Sequence, residues 1–231
     1  MKSHRDYQAG EIISISLPFI HVLNKEFKGK NCDYCFVECN ELGKCSRCKK
    51  MYYCGKDCQQ KDWIQHKFEC KIYKNNLDQL KVAEYKDDLF VRFVLRSYLY
   101  LINSPESFYE KRQLLNDENS AICLANIDIE KLVELEQPRL IRLKQLFKEL
   151  NLLKIEWNAL KMVIYHGLCY DYGLDIFNNK LQHLGIGFYL AESQLKHSCS
   201  PNVTTLFNGT QLVMRATRSI KSGEHIIKNR L

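Results

Sequence analysis

Eight residues in one short stretch are of the types that hold soft metal ions. They fall in four pairs: Cys32 and Cys35, Cys45 and Cys48, Cys54 and Cys58, then His66 and Cys70. Tetrahedral Zn²⁺ takes four thiolate or imidazole ligands, so eight imply two structural sites. A segment this short and polar cannot close an apolar core of its own. Metal binding supplies the missing folding energy and requires deprotonated thiols. The alternative is free cytosolic cysteines or disulfides, and four correctly ordered ligand pairs argue against it. Cys39 lies between two pairs, fits no ligand slot and reads as a spare thiol.

Two pairings are open. Consecutive pairs sharing an ion give two fingers in series. Interleaved pairs put Cys32, Cys35, Cys54 and Cys58 on one ion and Cys45, Cys48, His66 and Cys70 on the other. Spacing alone does not choose. Asp57 stands just ahead of Cys58, and Gln59 to Cys70 reads as a helix. On such a helix His66 and Cys70, at i and i+4, share one face and can serve one ion. Trp63 and Phe68 read as packing residues.

The run CDYCFVECNELGKCSRCKKMYYCGKDCQQKDWIQHKFEC resembles a MYND zinc finger. The likeness includes the pair Tyr52-Tyr53 before Cys54 and the D-W-x-x-H-K-x-x-C ending. It implies the interleaved pairing. It also implies a partner, because MYND fingers bind short proline-containing peptides. The surface around Tyr52, Tyr53, Gln59 and Trp63 is then the expected docking face.

The chain has 231 residues, room for one large domain or two small ones, and 45% apolar residues, ordinary for a globular protein. Most of the 11 cysteines belong to the metal segment. Cys39, Cys123, Cys169 and Cys199 are scattered, so a reducing cytoplasm or nucleus fits better than secretion. The charged start MKSHRDYQAGE has no apolar run and reads as no signal peptide. No stretch approaches a membrane span. The 34 Lys and Arg against 27 Asp and Glu give +7, a mild excess that a solvated surface explains. Residues 25–74 hold a net +5 of it.

Residues 10–23 read as one or two short strands broken at Pro18, with His21 a packed strand residue rather than a ligand. Lys25 to Lys30 form a polar linker. LFVRFVLRSYLYLI (89–102) is apolar over most of its circumference and reads as a buried helix. Asn103-Ser104-Pro105-Glu106 reads as a helix stop and new start. Asn116 to Asn126 reads as loop. Ile127 to Glu156, restarted at Pro138, and Leu152 to Tyr165 read as helix. VTTLFNGTQLVMRATRSI (203–220) reads as two strands about Asn208-Gly209. Lys221-Ser222-Gly223-Glu224 reads as a further turn.

A second constellation lies downstream: G-I-G-F-Y (185–189), K-H-S-C-S-P-N (196–202), N-G-T-Q-L (208–212) and R-S-I-K-S-G-E (218–224). In this order they resemble the SET- and MYND-domain (SMYD) protein-lysine methyltransferases. The resemblance implies an α+β fold: a split, β-rich SET-like core interrupted by a two-zinc MYND finger and a helical insert. It divides the chain into an N-terminal SET remnant (1–28), the finger (32–70), the insert (75–183) and a C-terminal SET core (184–231). It implies S-adenosylmethionine as methyl donor, a protein substrate and a monomer in cytoplasm and nucleus. Direct nucleic-acid binding through the finger's positive charge is a weaker reading, since nothing here resembles a base-reading helix.

Methyl transfer needs a bent cofactor, a channel delivering a neutral amine, and aromatic hydroxyls to orient it. By resemblance, His197 contacts the cofactor and the 196–212 segment walls its pocket. His197, Ser198, Cys199, Pro201 and Asn202 match the family's crossing, while Lys196 replaces its leading Asn. An amide donates and accepts; an ammonium only donates. Tyr172 stands where the family usually has a cofactor-contacting Asn. Gly223-Glu224 runs into HIIKNRL with no tyrosine, no cysteine tail follows, and no G-x-G precedes Tyr7, so no catalytic residue is assigned. Two readings stand: a lysine methyltransferase, truncated or impaired, or a non-catalytic zinc-dependent interaction adaptor. The G-x-G at 185–187 lacks the third Gly of a dinucleotide loop.

Overall fold

The computed structural model describes residues 1–75, 89–114, 117–124, 148 and 173–229. The architecture is α+β. Two three-stranded antiparallel sheets form the β-rich part. One has the order β1 (Ile12–Ser16), β11 (Gln211–Ala216), β10 (Val203–Asn208). The other has the order β2 (His21–Leu23), β8 (His183–Phe188), β7 (Gly173–Phe177). The chain leaves the first sheet at Leu17-Pro18 and enters the second at His21, the break expected at Pro18. Tyr7, Ile13, Leu23, Ile176, Leu184, Tyr189, Leu212, Met214 and Ile220 fill the core beneath both.

Between β2 and β8, among the described residues, lie the finger and then a segment that carries a helix. The finger comes first, with a small hairpin of β3 (Gly43–Lys44) and β4 (Tyr52–Tyr53) and the helix α1 (Lys56–Asn75). The helix starts earlier and ends later than the stretch from Gln59 to Cys70. The segment after it includes α2 (Leu89–Asn103), buried along almost its whole length and packed on Phe19, Ile20, Val22 and Phe188. It stops at Asn103, and a 3-10 turn begins at Pro105.

Three details differ from the sequence reading. Asn116 to Asn126 is not simply loop: Asp117–Ile122 is a strand, β6, paired with β5 (Arg112–Leu114). Backbone pairing there overrides a polar composition that argues for coil. The β10–β11 turn consists of Gly209 and Thr210, since Asn208 still pairs with Gln211. β7 lies within the range assigned to the helical insert yet pairs with β8, so sheet structure begins upstream of 184. The helices expected over Ile127 to Glu156 and Leu152 to Tyr165, and Tyr172 and Cys169, lie outside the described residues.

The G-x-G has a packing role. A Cβ on Gly185 would fall 2.2 Å from the Val22 carbonyl oxygen and 2.7 Å from the Phe36 ring, so β8 crosses β2 and the finger without room for a side chain.

Candidate metal centres and the strand crossing

The fold gathers the eight candidate ligands into two groups. Cys32, Cys35, Cys54 and Cys58 form one; Cys45, Cys48, His66 and Cys70 form the other, the ligand atoms of each lying within 4.8 Å of one another. The arrangement is the interleaved one. Zn–S bonds of about 2.3 Å in a tetrahedron place sulfurs about 3.8 Å apart. Cys35 and Cys54 Sγ are 3.8 Å apart, as are Cys45 and Cys70 Sγ. Cys48 Sγ lies 3.4 Å from His66 Nε2. Both donor sets therefore fit tetrahedral zinc.

Local structure positions each pair. Tight turns carry Cys32–Cys35 and Cys45–Cys48, closed by the Phe36 N–H to the Cys32 carbonyl at 3.0 Å and the Lys49 N–H to the Cys45 carbonyl at 2.9 Å. Phe36 and Lys49 adopt positive φ, 62° and 59°, where the turns close. The helix α1 supplies Cys58, His66 and Cys70. The first tetrad runs from buried Cys32 to exposed Cys54; the second is fully buried. Cys39 belongs to neither.

Behind the second tetrad lies a buried polar network that the sequence reading missed. His66 Nδ1 is 3.1 Å from Glu69 Oε1. Arg96 of α2 reaches Glu69 at 3.2 Å, Asp62 at 2.6 Å and the His21 carbonyl at 2.7 Å. The Tyr53 hydroxyl donates to Asp62 at 2.7 Å. Arg92 reaches the Leu23 carbonyl at 3.1 Å and stands 3.5 Å from Asp33. Burial opposes ionisation of Glu69, but Arg96, His66 and Arg92 prevail and hold its carboxyl at about 2. The available signal was two arginines at i and i+4 inside an apolar helix, since buried charges need partners.

The expected docking face needs one correction. Tyr53 is 2% exposed, tied to Asp62, and belongs to the finger's core. Tyr52, Gln59 and Trp63 remain partly exposed, with Arg47 over the Trp63 ring at 5.3 Å. Phe68 packs against the core, as does Trp63 within the finger. His21 is buried between Tyr34 and Phe36, as a packed strand residue should be.

At the C-terminal end, β9 (Lys196–His197) runs parallel to β12 (Ile227–Lys228). Lys196 and His197 are exposed, and Cys199 Sγ is 3.6 Å from His197 Nε2. The segment 225–228 is bonded to the 198–202 loop, with the Ser198 N–H on the Lys228 carbonyl at 2.9 Å and the Asn202 N–H on the Ile227 carbonyl at 3.2 Å. Buried Asn202 fastens the crossing: its side chain donates to the His225 carbonyl at 2.8 Å and accepts from the Ile227 N–H at 2.9 Å. A cleft of about 610 Å³ opens beside it, lined in part by Leu174, Phe207, Lys228 and Asn229.

Comparison with known proteins adds family evidence. The MYND finger family matches residues 32–70. The N-lysine methyltransferase SMYD2-B of Xenopus laevis is 29% identical over 228 residues, 98% of this chain and 50% of its own length. Human N-lysine methyltransferase SMYD2 is 27% identical over 229 residues, covering 98% and 50% respectively. Human histone-lysine N-methyltransferase SMYD3 is 31% identical over 228 residues, covering 94% and 49%. The chain spans about half the length of the curated relatives it matches. No helix among the described residues is long and apolar enough to cross a membrane.

Proposed function

We propose, from the premise that the chain is a MYND-bearing relative of the SMYD protein-lysine methyltransferases, that it is a SET-type protein-lysine methyltransferase homologue built around two structural zinc ions. Cys32, Cys35, Cys54 and Cys58 hold one ion; Cys45, Cys48, His66 and Cys70 hold the other. Bound there, zinc supplies folding energy rather than chemistry. The observation that carries this reading is the sorting of eight side chains into two tetrads at tetrahedral spacing, attached to a strand crossing fastened by Asn202.

S-adenosylmethionine is the proposed second ligand, with His197 contacting it. The test is calorimetric titration of the zinc-loaded chain with S-adenosylmethionine. Saturable heat supports the reading, and a flat trace at millimolar cofactor removes it for this chain. Substrate protein and cellular site, expected in cytoplasm and nucleus, follow the family.

A second reading has its own observation. Exposed Lys196 brings an ammonium to the crossing where the family has an amide. That favours a zinc-dependent adaptor without turnover, binding proline-containing peptides at Tyr52, Gln59 and Trp63. Gln59→Ala in the full chain should weaken capture of such peptides while leaving zinc content unchanged. Undiminished capture would exclude that face.

A further inference from the structure

We infer that Arg96, on α2 outside the finger, is a positioning residue for the Cys45–Cys48–His66–Cys70 metal site, acting through Glu69 on the His66 ring, so that retention of that metal depends on the docking of α2. The inference rests on the zinc reading above.

The geometry forms a three-step relay. His66 Nε2 faces Cys48 Sγ at 3.4 Å, toward the centre of the tetrad. Its other nitrogen, Nδ1, faces Glu69 Oε1 at 3.1 Å. A hydrogen on Nδ1 donated to that carboxylate leaves the Nε2 lone pair for a metal and fixes the ring plane. Glu69 is in turn held by Arg96 at 3.2 Å. His66, Glu69 and Arg96 are each 1% exposed or less, so water cannot replace any of these contacts.

Charge explains why the relay needs an arginine. Three thiolates and a neutral imidazole around Zn²⁺ leave a formal charge of about −1. Glu69 and Asp62 add two buried carboxylates beside it. Arg96 is the buried cation in contact with both, while Arg92 stands 3.5 Å from a third buried carboxylate, Asp33. The guanidinium fork of Arg96 meets three acceptors at once: Nη1 the His21 carbonyl at 2.7 Å, Nη2 Asp62 at 2.6 Å and Glu69 at 3.2 Å. An ammonium point charge cannot span that set. The His21 carbonyl belongs to β2, so one side chain joins α2, the SET-like sheet and the finger.

The relay makes finger and core one unit for metal retention. Undocking α2 removes Arg96, leaves Glu69 an uncompensated anion, and loosens the ring that carries one of the four ligands. The first tetrad meets α2 differently: Arg92 stands 3.5 Å from Asp33, the residue after Cys32, and among the described residues neither Arg96 nor Glu69 bonds to any of its four ligands.

The experiment uses the full chain with both sites loaded. Zinc release to a chelator is followed for the parent, Glu69→Gln, Arg96→Met and the double variant, with cobalt substitution to tell the imidazole-containing site from the all-thiolate one by its visible bands. Each single variant should release the metal of the imidazole-containing site about 10- to 100-fold faster. The all-thiolate site should change little. The double variant should be no worse than the poorer single one, because both act through one relay. Effects that multiply, equal acceleration at both sites, or unchanged release would overturn the inference. If Arg96→Met is recovered only as aggregate, Arg96→Lys carries the test with the same ordering. A parent that binds fewer than two ions overturns the zinc reading itself, a result distinct from two ions and indifferent variants.

Discussion

The backbone of Gly209 lies directly against the carbonyl of Cys35. A Cβ on Gly209 would sit 2.1 Å from that oxygen, and Thr210 donates its N–H to the same oxygen at 3.2 Å. The tip of the β10–β11 hairpin is therefore seated on the first metal-binding turn of the finger. The residue also has φ +59°, a conformation that suits glycine.

Gly209→Ala should accordingly destabilise the zinc-loaded chain by roughly 2–4 kcal/mol, from the clash and the strained backbone together. Denaturant unfolding would measure it. A change within about 0.5 kcal/mol, as for an ordinary surface site, would mean that the tip is free of the finger.

Asn202→Leu should be more damaging than its similar size suggests. It strips the Ile227 N–H and His225 carbonyl of their partner. Two part-buried polar groups that lose their partner cost about 1–3 kcal/mol together. Hydrogen exchange at the Ile227 amide should accelerate with the loss of stability. Protection equal to the parent's would contradict the crossing.

His21 makes stability depend on pH. Burial, then Arg96, depress its pKa from 6.5 to about 4. Folded, it stays neutral; unfolded, it takes up a proton below its ordinary value. Its contribution is thus complete above about 6.5 and is lost as pH falls toward 4. At pH 5 the loss amounts to about 2 kcal/mol. His21→Gln should lose that much less than the parent between pH 7.5 and about pH 5. Parallel losses would show that His21 does not titrate in the folded state as described.

Lys196→Asn tests the charge at the crossing. Lys196 is exposed, so screening limits its field. If the chain binds S-adenosylmethionine as proposed, removing the charge should tighten that binding several-fold, and tighten S-adenosylhomocysteine, which lacks the sulfonium charge, less. Equal change for both ligands would assign the effect to the restored amide rather than to charge.

The eight candidate ligands were legible in the sequence because ligand type and spacing are local properties, whereas their sorting into two tetrads depends on the fold of the whole segment. The strands around Pro18, the buried helix at 89–102 and the stop at Asn103 were legible for the same reason. The turn at Gly209-Thr210 shifted by one residue because a tertiary contact, the Cys35 carbonyl, selects it. Tyr53 reads like a surface aromatic until its hydroxyl is seen on Asp62. Asp33, Asp62 and Glu69 look like finger surface, and only the docking of α2 turns them into buried partners of Arg92 and Arg96.

The central claim is tested most directly by counting metal. Purified chain analysed by mass spectrometry for bound metal should carry two zinc ions, and their removal by a strong chelator should unfold the finger, seen as loss of protection across α1. Material that holds far less than two equivalents, yet keeps its fold after chelation, would contradict the account.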